Sequence, residues 1–138
     1  MTTTETSSPA SDSFELYLEL AGEPTEAVYE RFFAMHPDAK AEFGGDEFLE
    51  KRMMAGLLQM LVDLSDHRVE PSECDYWVWD HIAYEVDEAM AFDMFDCVVA
   101  TLRDGLGDRW TPAMTDSWAG LLGRLRPVLG PTFTQAGA

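Results

Sequence analysis

The stretch WVWDHIAYEV, Trp77 to Val86, decides how the rest of the chain is read. It sets one of only three histidines among large aromatic and β-branched side chains. His81 has two readings there: a core residue whose ring nitrogens find neighbouring partners, or a ligand held for a bound group. Within the stretch alone the first reading is the stronger. The residues on either side have to decide between them.

Outward from this stretch the punctuation is helical. Phe14 to Ala21 is a short apolar segment closed by Gly22. Pro24 and Thr25 open a second helix, with Glu26 in its first turn where a carboxylate favours the helix dipole. That helix carries Val28, Tyr29, Phe32 and Phe33 and stops at His36-Pro37, because a residue before proline is pushed out of the α region. A short helical turn through Ala41 to Phe43 ends at Gly44-Gly45. Asp46 then caps a long helix, whose apolar positions 49, 53, 57, 60 and 64 follow a 3.6-residue period. Pro71-Ser72 starts the segment that contains His81, with Ser72 as its expected cap. Asp87 caps a helix with Met90, Met94, Val98 and Leu102 on one face, ending at Gly105 to Gly107. Thr111-Pro112 opens the last helix, with Trp118, Leu121, Leu122 and Leu125, which Pro127 is expected to bend or end. No period of two persists long enough for a strand, and there are no internal repeats. The fold class is all-α, divided into a flexible tail over 1–12, a helical domain over 13–130 and a second tail over 131–138.

Composition bounds the rest. A chain of 138 residues fits one domain and buries roughly two-thirds of its unfolded surface. With 46% hydrophobic and 12% aromatic residues it is globular, and eight methionines suit an adaptable interior. A formal charge of −17, from 26 acidic and nine basic residues, repels phosphate backbones and anionic lipid. Neither nucleic acid nor a membrane is therefore an expected partner; the stronger reading of the charge is a well-solvated acidic surface, and steering of a basic protein partner is the lesser one. Cys74 and Cys97 make no disulfide framework and fit a reducing, cytoplasmic setting. The opening MTTTETSSPASDS lacks the basic and apolar regions of a secretion signal, and no apolar run approaches the ~20 residues that span a bilayer. There is no glycine-rich phosphate loop, and His36 and His67 read as structural or surface residues. No nucleophilic triad can be built from three histidines so placed.

Taken in order, the segments YERFFAMHPDAKAEF (Tyr29 to Phe43), HIAYEV (His81 to Val86) and LGDRWTP, followed by Trp118 on the last helix, resemble the bacterial globin family. The likeness is to its single-domain members and to the haem domain of flavohaemoglobins. It runs from about Thr25 to Leu125 and rests on a Y-x-x-x-F motif with H-P before a phenylalanine, and on a histidine before x-x-Y-x-V. It implies a globin-like fold of six to eight helices around a pocket for haem b, iron protoporphyrin. His81 would then be the metal ligand, with Trp77 and Val86 pressing on the haem. The Trp77 carbonyl is the expected acceptor for the other ring N–H of His81, with Asp80 the weaker candidate. Phe43 corresponds to the phenylalanine that stacks on the haem, and Leu49 and Met53 to positions on its distal side. Tyr29 corresponds to the tyrosine that donates to a bound ligand; the alternative is a hydroxyl bonded to a neighbouring carbonyl. Arg52 has three readings: a ligand contact, a haem propionate contact, or an exposed helix arginine.

The implied function is reversible binding of a diatomic gas, oxygen or else NO or CO. Two alternatives stand beside it: a haem-free globin-fold sensory or protein-interaction module, and an NO dioxygenase. The chain does not continue into the flavin and nicotinamide domains of flavohaemoglobins, so the dioxygenase would need a separate reductase as partner. In those proteins a tyrosine and a glutamate tighten the proximal histidine. The corresponding positions here are Ala91 and Gln135, which argues against a peroxidase-like imidazole.

Overall fold

The computed structural model describes residues 8–43, 46–74, 76–78 and 86–135, except the side chains of Glu42 and Phe43. The central histidine of the sequence argument, His81, lies outside the described residues, as do Trp79, Asp80 and Gly44-Gly45. The described residues form six α-helices: α1 (Pro9–Ala21), α2 (Thr25–Met35), α3 (Pro37–Phe43), α4 (Glu47–Ser65), α5 (Glu88–Leu106) and α6 (Pro112–Gln135). Two 3-10 turns, Pro71–Cys74 and Gly107–Arg109, and a helical stretch over 76–78 complete them. The chain is all-α, with no strand among the described residues.

The helix ends form where local chemistry satisfies free amides and carbonyls. Asp46 accepts from the amide of Leu49 at 3.0 Å, and Asp87 from the amide of Met90 at 2.8 Å. Thr111 Oγ1 accepts from the amide of Met114 at 3.2 Å, ahead of Pro112. Gly22 closes α1 at φ 81° and Gly107 closes α5 at φ 51°, backbone angles that favour a residue without Cβ. Ser72 does not cap a helix: it lies within the Pro71–Cys74 turn, where the Glu73 carboxylate accepts from the Glu70 amide.

Helix extends into both segments expected as tails, from Pro9 at one end and to Gln135 at the other. The first helix begins at Pro9, and Ser8 caps it by accepting from the Ser11 amide at 3.1 Å. Residues 9–12 carry no apolar stripe, so the hydrophobic pattern missed them; they are held by polar contacts instead. The Ser8 amide donates to Asp66 at 3.0 Å, the Ala10 amide to Ser117 at 3.1 Å, and the Ser11 hydroxyl lies 2.9 Å from both Ser65 and Asp66. At the other end α6 runs through Pro127 and Pro131 to Gln135. Each proline removes one helical hydrogen bond, but Leu125, Leu129 and Phe133 keep a spacing of four, and all three are fully buried. Burying a Leu or Phe side chain is worth roughly 1.5–3 kcal/mol, enough to carry the helix past a missing bond.

The core sits where α5 and α6 pack on each other and against the remaining elements. α1 lies across both, α2 packs on α5, and the Pro71–Cys74 turn packs on α6. α4 touches α1, α2, α3 and α6. The buried face of α4 is wider than the predicted stripe: Leu57, Met60 and Leu64 are joined by Met54, Leu58 and Leu61, while Leu49 and Met53 are only half-buried. On α5 the buried face is Phe92, Phe95, Val98 and Leu102, with Met90 and Met94 at its half-buried margin. No described helix is long and apolar enough to cross a membrane.

Candidate functional site

Tyr29 is the chemically distinctive group that the fold brings into the interior. It sits one turn before Phe33 on α2, and the two rings stack with centroids 5.3 Å apart. The side chain is 4% exposed, and its hydroxyl donates to the backbone carbonyl of Glu50, in the first turn of α4, at 3.1 Å. Burial, reinforced by the Glu50 carboxylate, pushes its pKa well above the ordinary phenol range. The hydroxyl therefore keeps its proton at neutral pH and can donate.

Side chains along α2 and at its C-terminal end tie it to α5. Arg31 pairs with Asp104. His36 Nε2 lies 2.7 Å from Asp93, and its ring is 5.0 Å from that of Phe32. The Cys97 thiol donates to the Met35 sulfur at 3.6 Å. Burial, and next the carboxylate of Asp93, raises the thiol pKa, so Cys97 stays a protonated thiol rather than a nucleophile. The Asp93 contact makes His36, which reads from the sequence as a structural or surface residue, a tie between the end of α2 and α5.

The first turns of α4 are thinly covered. Leu49 and Met53, one turn apart, are half-buried; Lys51 and Arg52 are exposed, and Phe48 is 86% exposed. Full burial begins at Met54. Tyr29 and the start of α4 are thus brought together by a direct hydrogen bond. Phe43 ends α3, which packs on α2 and α4.

On the other side, Trp77 is buried with its ring 5.4 Å from that of Phe95, and Val78 beside it is fully buried. This docks the 76–78 stretch onto α5. Phe92 meets Phe95 edge-on at 5.5 Å, and the Arg126 guanidinium lies 4.8 Å over Phe92, tying α6 to the same cluster. Val86, half-buried against the core, leads into α5. Ala91 is buried on α5 and Gln135 is the exposed last residue of α6. Phe95 is the aromatic centre of this side and is not marked by the apolar stripe of its helix. It lies one position off the stripe drawn through Met90, Met94 and Val98, and the i, i+3 pair with Phe92 was the available signal.

The described residues therefore offer a buried hydroxyl donor at the edge of a half-covered apolar helix face, and a separate aromatic cluster that anchors the segment leading to His81. No group of three or more His, Cys, Asp or Glu among them could hold a metal ion. Compared with protein-family models and with curated proteins, the chain matches none.

Proposed function

We propose that the chain is a globin-like protein that binds haem b through His81 and takes up a diatomic ligand on the side facing Tyr29. The observation that carries this reading is the Tyr29 hydroxyl: buried, and hydrogen-bonded to Glu50 in the first turn of α4, the helix that carries Leu49 and Met53. A flat apolar cofactor needs apolar walls, an imidazole and exclusion of water. Leu49 and Met53 on α4, with Val86 before α5, are half-buried apolar groups of the kind such a cofactor covers. His81 is the residue that would supply the imidazole. When bound, the haem supplies an iron that coordinates a small gas molecule. The part of this chain's own residues is then to exclude water and to donate one hydrogen bond, from Tyr29, to a ligand carrying partial negative charge.

One observation favours a second reading, a haem-free globin-fold sensory or interaction module. The Tyr29 hydroxyl already has a partner in the Glu50 carbonyl, so the buried tyrosine is satisfied without any ligand. In the haem reading that bond is a resting arrangement which a ligand replaces.

Visible absorption of the protein purified with haem supplied separates the two. The haem reading expects a Soret band that shifts with carbon monoxide and is lost or exchangeable in His81→Ala. It also expects a Tyr29→Phe variant with a faster oxygen off-rate. Wild-type protein that folds and takes up no haem leaves the module reading.

A further inference from the structure

Between α1 and α4 runs a groove of about 720 Å³. Its residues are not among those assigned above to the haem or its ligand. Phe14 and Leu18 on α1, with Leu58 and Val62 on α4, give it an apolar floor. Leu18 stays 39% exposed there, although it lies one turn from Phe14 on the same helix. Lys51, Ala55 and Gln59 form the α4 rim at a spacing of four. From residue 51 to residue 62 an α-helix rises about 16 Å. That length matches an occupying helix of about three turns, one that can place apolar anchors at i, i+3, i+4 and i+7 in the floor.

The charge of the rims sets the chemistry of the occupant. On the α1 side Glu15 and Glu23 line the groove, and exposed Glu19 lies one turn beyond Glu15. On the other side the Arg68 guanidinium is within 4 Å of the carboxylates of Asp63 and Asp66, at 3.5 and 3.8 Å, so it is largely neutralised. Lys51 is left as the cation at one end. The long acidic rim belongs to a chain with a formal charge of −17, which attracts cationic partners from a distance and repels a second copy of itself.

We propose that the α1–α4 groove is a docking site for an amphipathic helix of a partner protein, with apolar anchors in the floor and lysines or arginines against Glu15 and Glu23 on its α1 side. The test uses the full chain and a synthetic Leu/Lys peptide with leucines at i, i+3, i+4 and i+7. Its control is a scrambled peptide of the same composition, which carries the same charge without the stripe. Binding is followed by calorimetry and by amide chemical shifts at moderate salt. The striped peptide is expected to bind more tightly than the scrambled one and to shift amides of α1 and α4. Leu18→Asp and Ala55→Arg, both at exposed positions, are each expected to weaken it roughly tenfold while the melting curve stays that of the wild type. Glu15→Gln combined with Glu23→Gln should reduce the salt sensitivity of binding. Equal affinity for the two peptides, or unchanged binding in both groove variants, overturns the proposal. So does concentration-dependent self-association that Leu18→Asp abolishes, since that would make a second copy the occupant.

Discussion

Asp66 shows how one carboxylate fixes the start of the fold. Burial tends to raise its pKa, but the Ser8 amide, the Ser11 and Ser8 hydroxyls and the nearby Arg68 together hold it below the ordinary value. A carboxylate depressed in the folded state stabilises the protein at pH above its unfolded pKa, about 3.9. That contribution is lost as pH falls through the lower, folded pKa. Asp66→Asn should therefore be less stable than wild type at pH 7, with the gap narrowing below about pH 3.9. Urea midpoints at pH 7 and at pH 3 measure it; a gap of equal size at both would mean that the charge contributes nothing. Gly105 makes a different residue-scale point. A Cβ there would clash with the ring of Tyr17, which is itself buried between α1 and α5. Gly105→Ala must displace that ring, and overpacking of this kind costs about 1–3 kcal/mol. The lost urea midpoint should be largely restored by Tyr17→Leu in the same chain.

At the scale of elements, the last helix carries the clearest test. The sequence rule that proline ends a helix fails in α6, because the rule weighs one lost hydrogen bond and one ring clash locally, whereas the burial that offsets them is tertiary. Phe133, two residues beyond the second proline, is fully buried. Phe133→Ala should cost about 3–5 kcal/mol, read as a drop in the denaturant midpoint; a surface tail would lose almost nothing. The same contrast explains what was legible elsewhere. Gly22, Asp46, Asp87, Gly107 and Thr111 mark helix ends through chemistry that acts within one turn, and each of those ends could be read directly. Residues 9–12 could not, because their partners Ser65, Asp66 and Ser117 lie more than fifty residues away in sequence. Faces were legible only to within about one helical position. Met54 and Phe95 were missed for Met53 and Met94, since a stripe drawn through similar apolar residues does not say which edge meets the core. At the candidate site, the burial of Tyr29 followed from its neighbours Val28, Phe32 and Phe33. Its bond to Glu50 did not, because it depends on how α2 crosses α4.

For the whole molecule, charge is the quantity that sequence alone fixes and that structure distributes. The ion pairs Arg31–Asp104 and Arg126–Asp96 are substantially exposed, and pairs of that kind contribute at most about 1 kcal/mol. Against them stands a formal charge of −17 compressed, on folding, into a radius of gyration of about 14 Å for a chain of this length. At about 10 mM ionic strength the screening length is roughly 30 Å, so every carboxylate feels the others; at 1 M it is about 3 Å. Repulsion is then removed while little attraction is lost, because so few cations are present to supply it. The melting temperature should accordingly rise as sodium chloride is raised from about 10 mM to about 0.5 M, with most of the gain in the first part of that range where the screening length crosses the molecular radius. A melting temperature that falls would show that the nine basic residues, through their pairs, outweigh the acidic surface. Chloride is the right anion for the measurement, since sulfate strengthens apolar burial on its own account and would produce a rise in a protein of any charge.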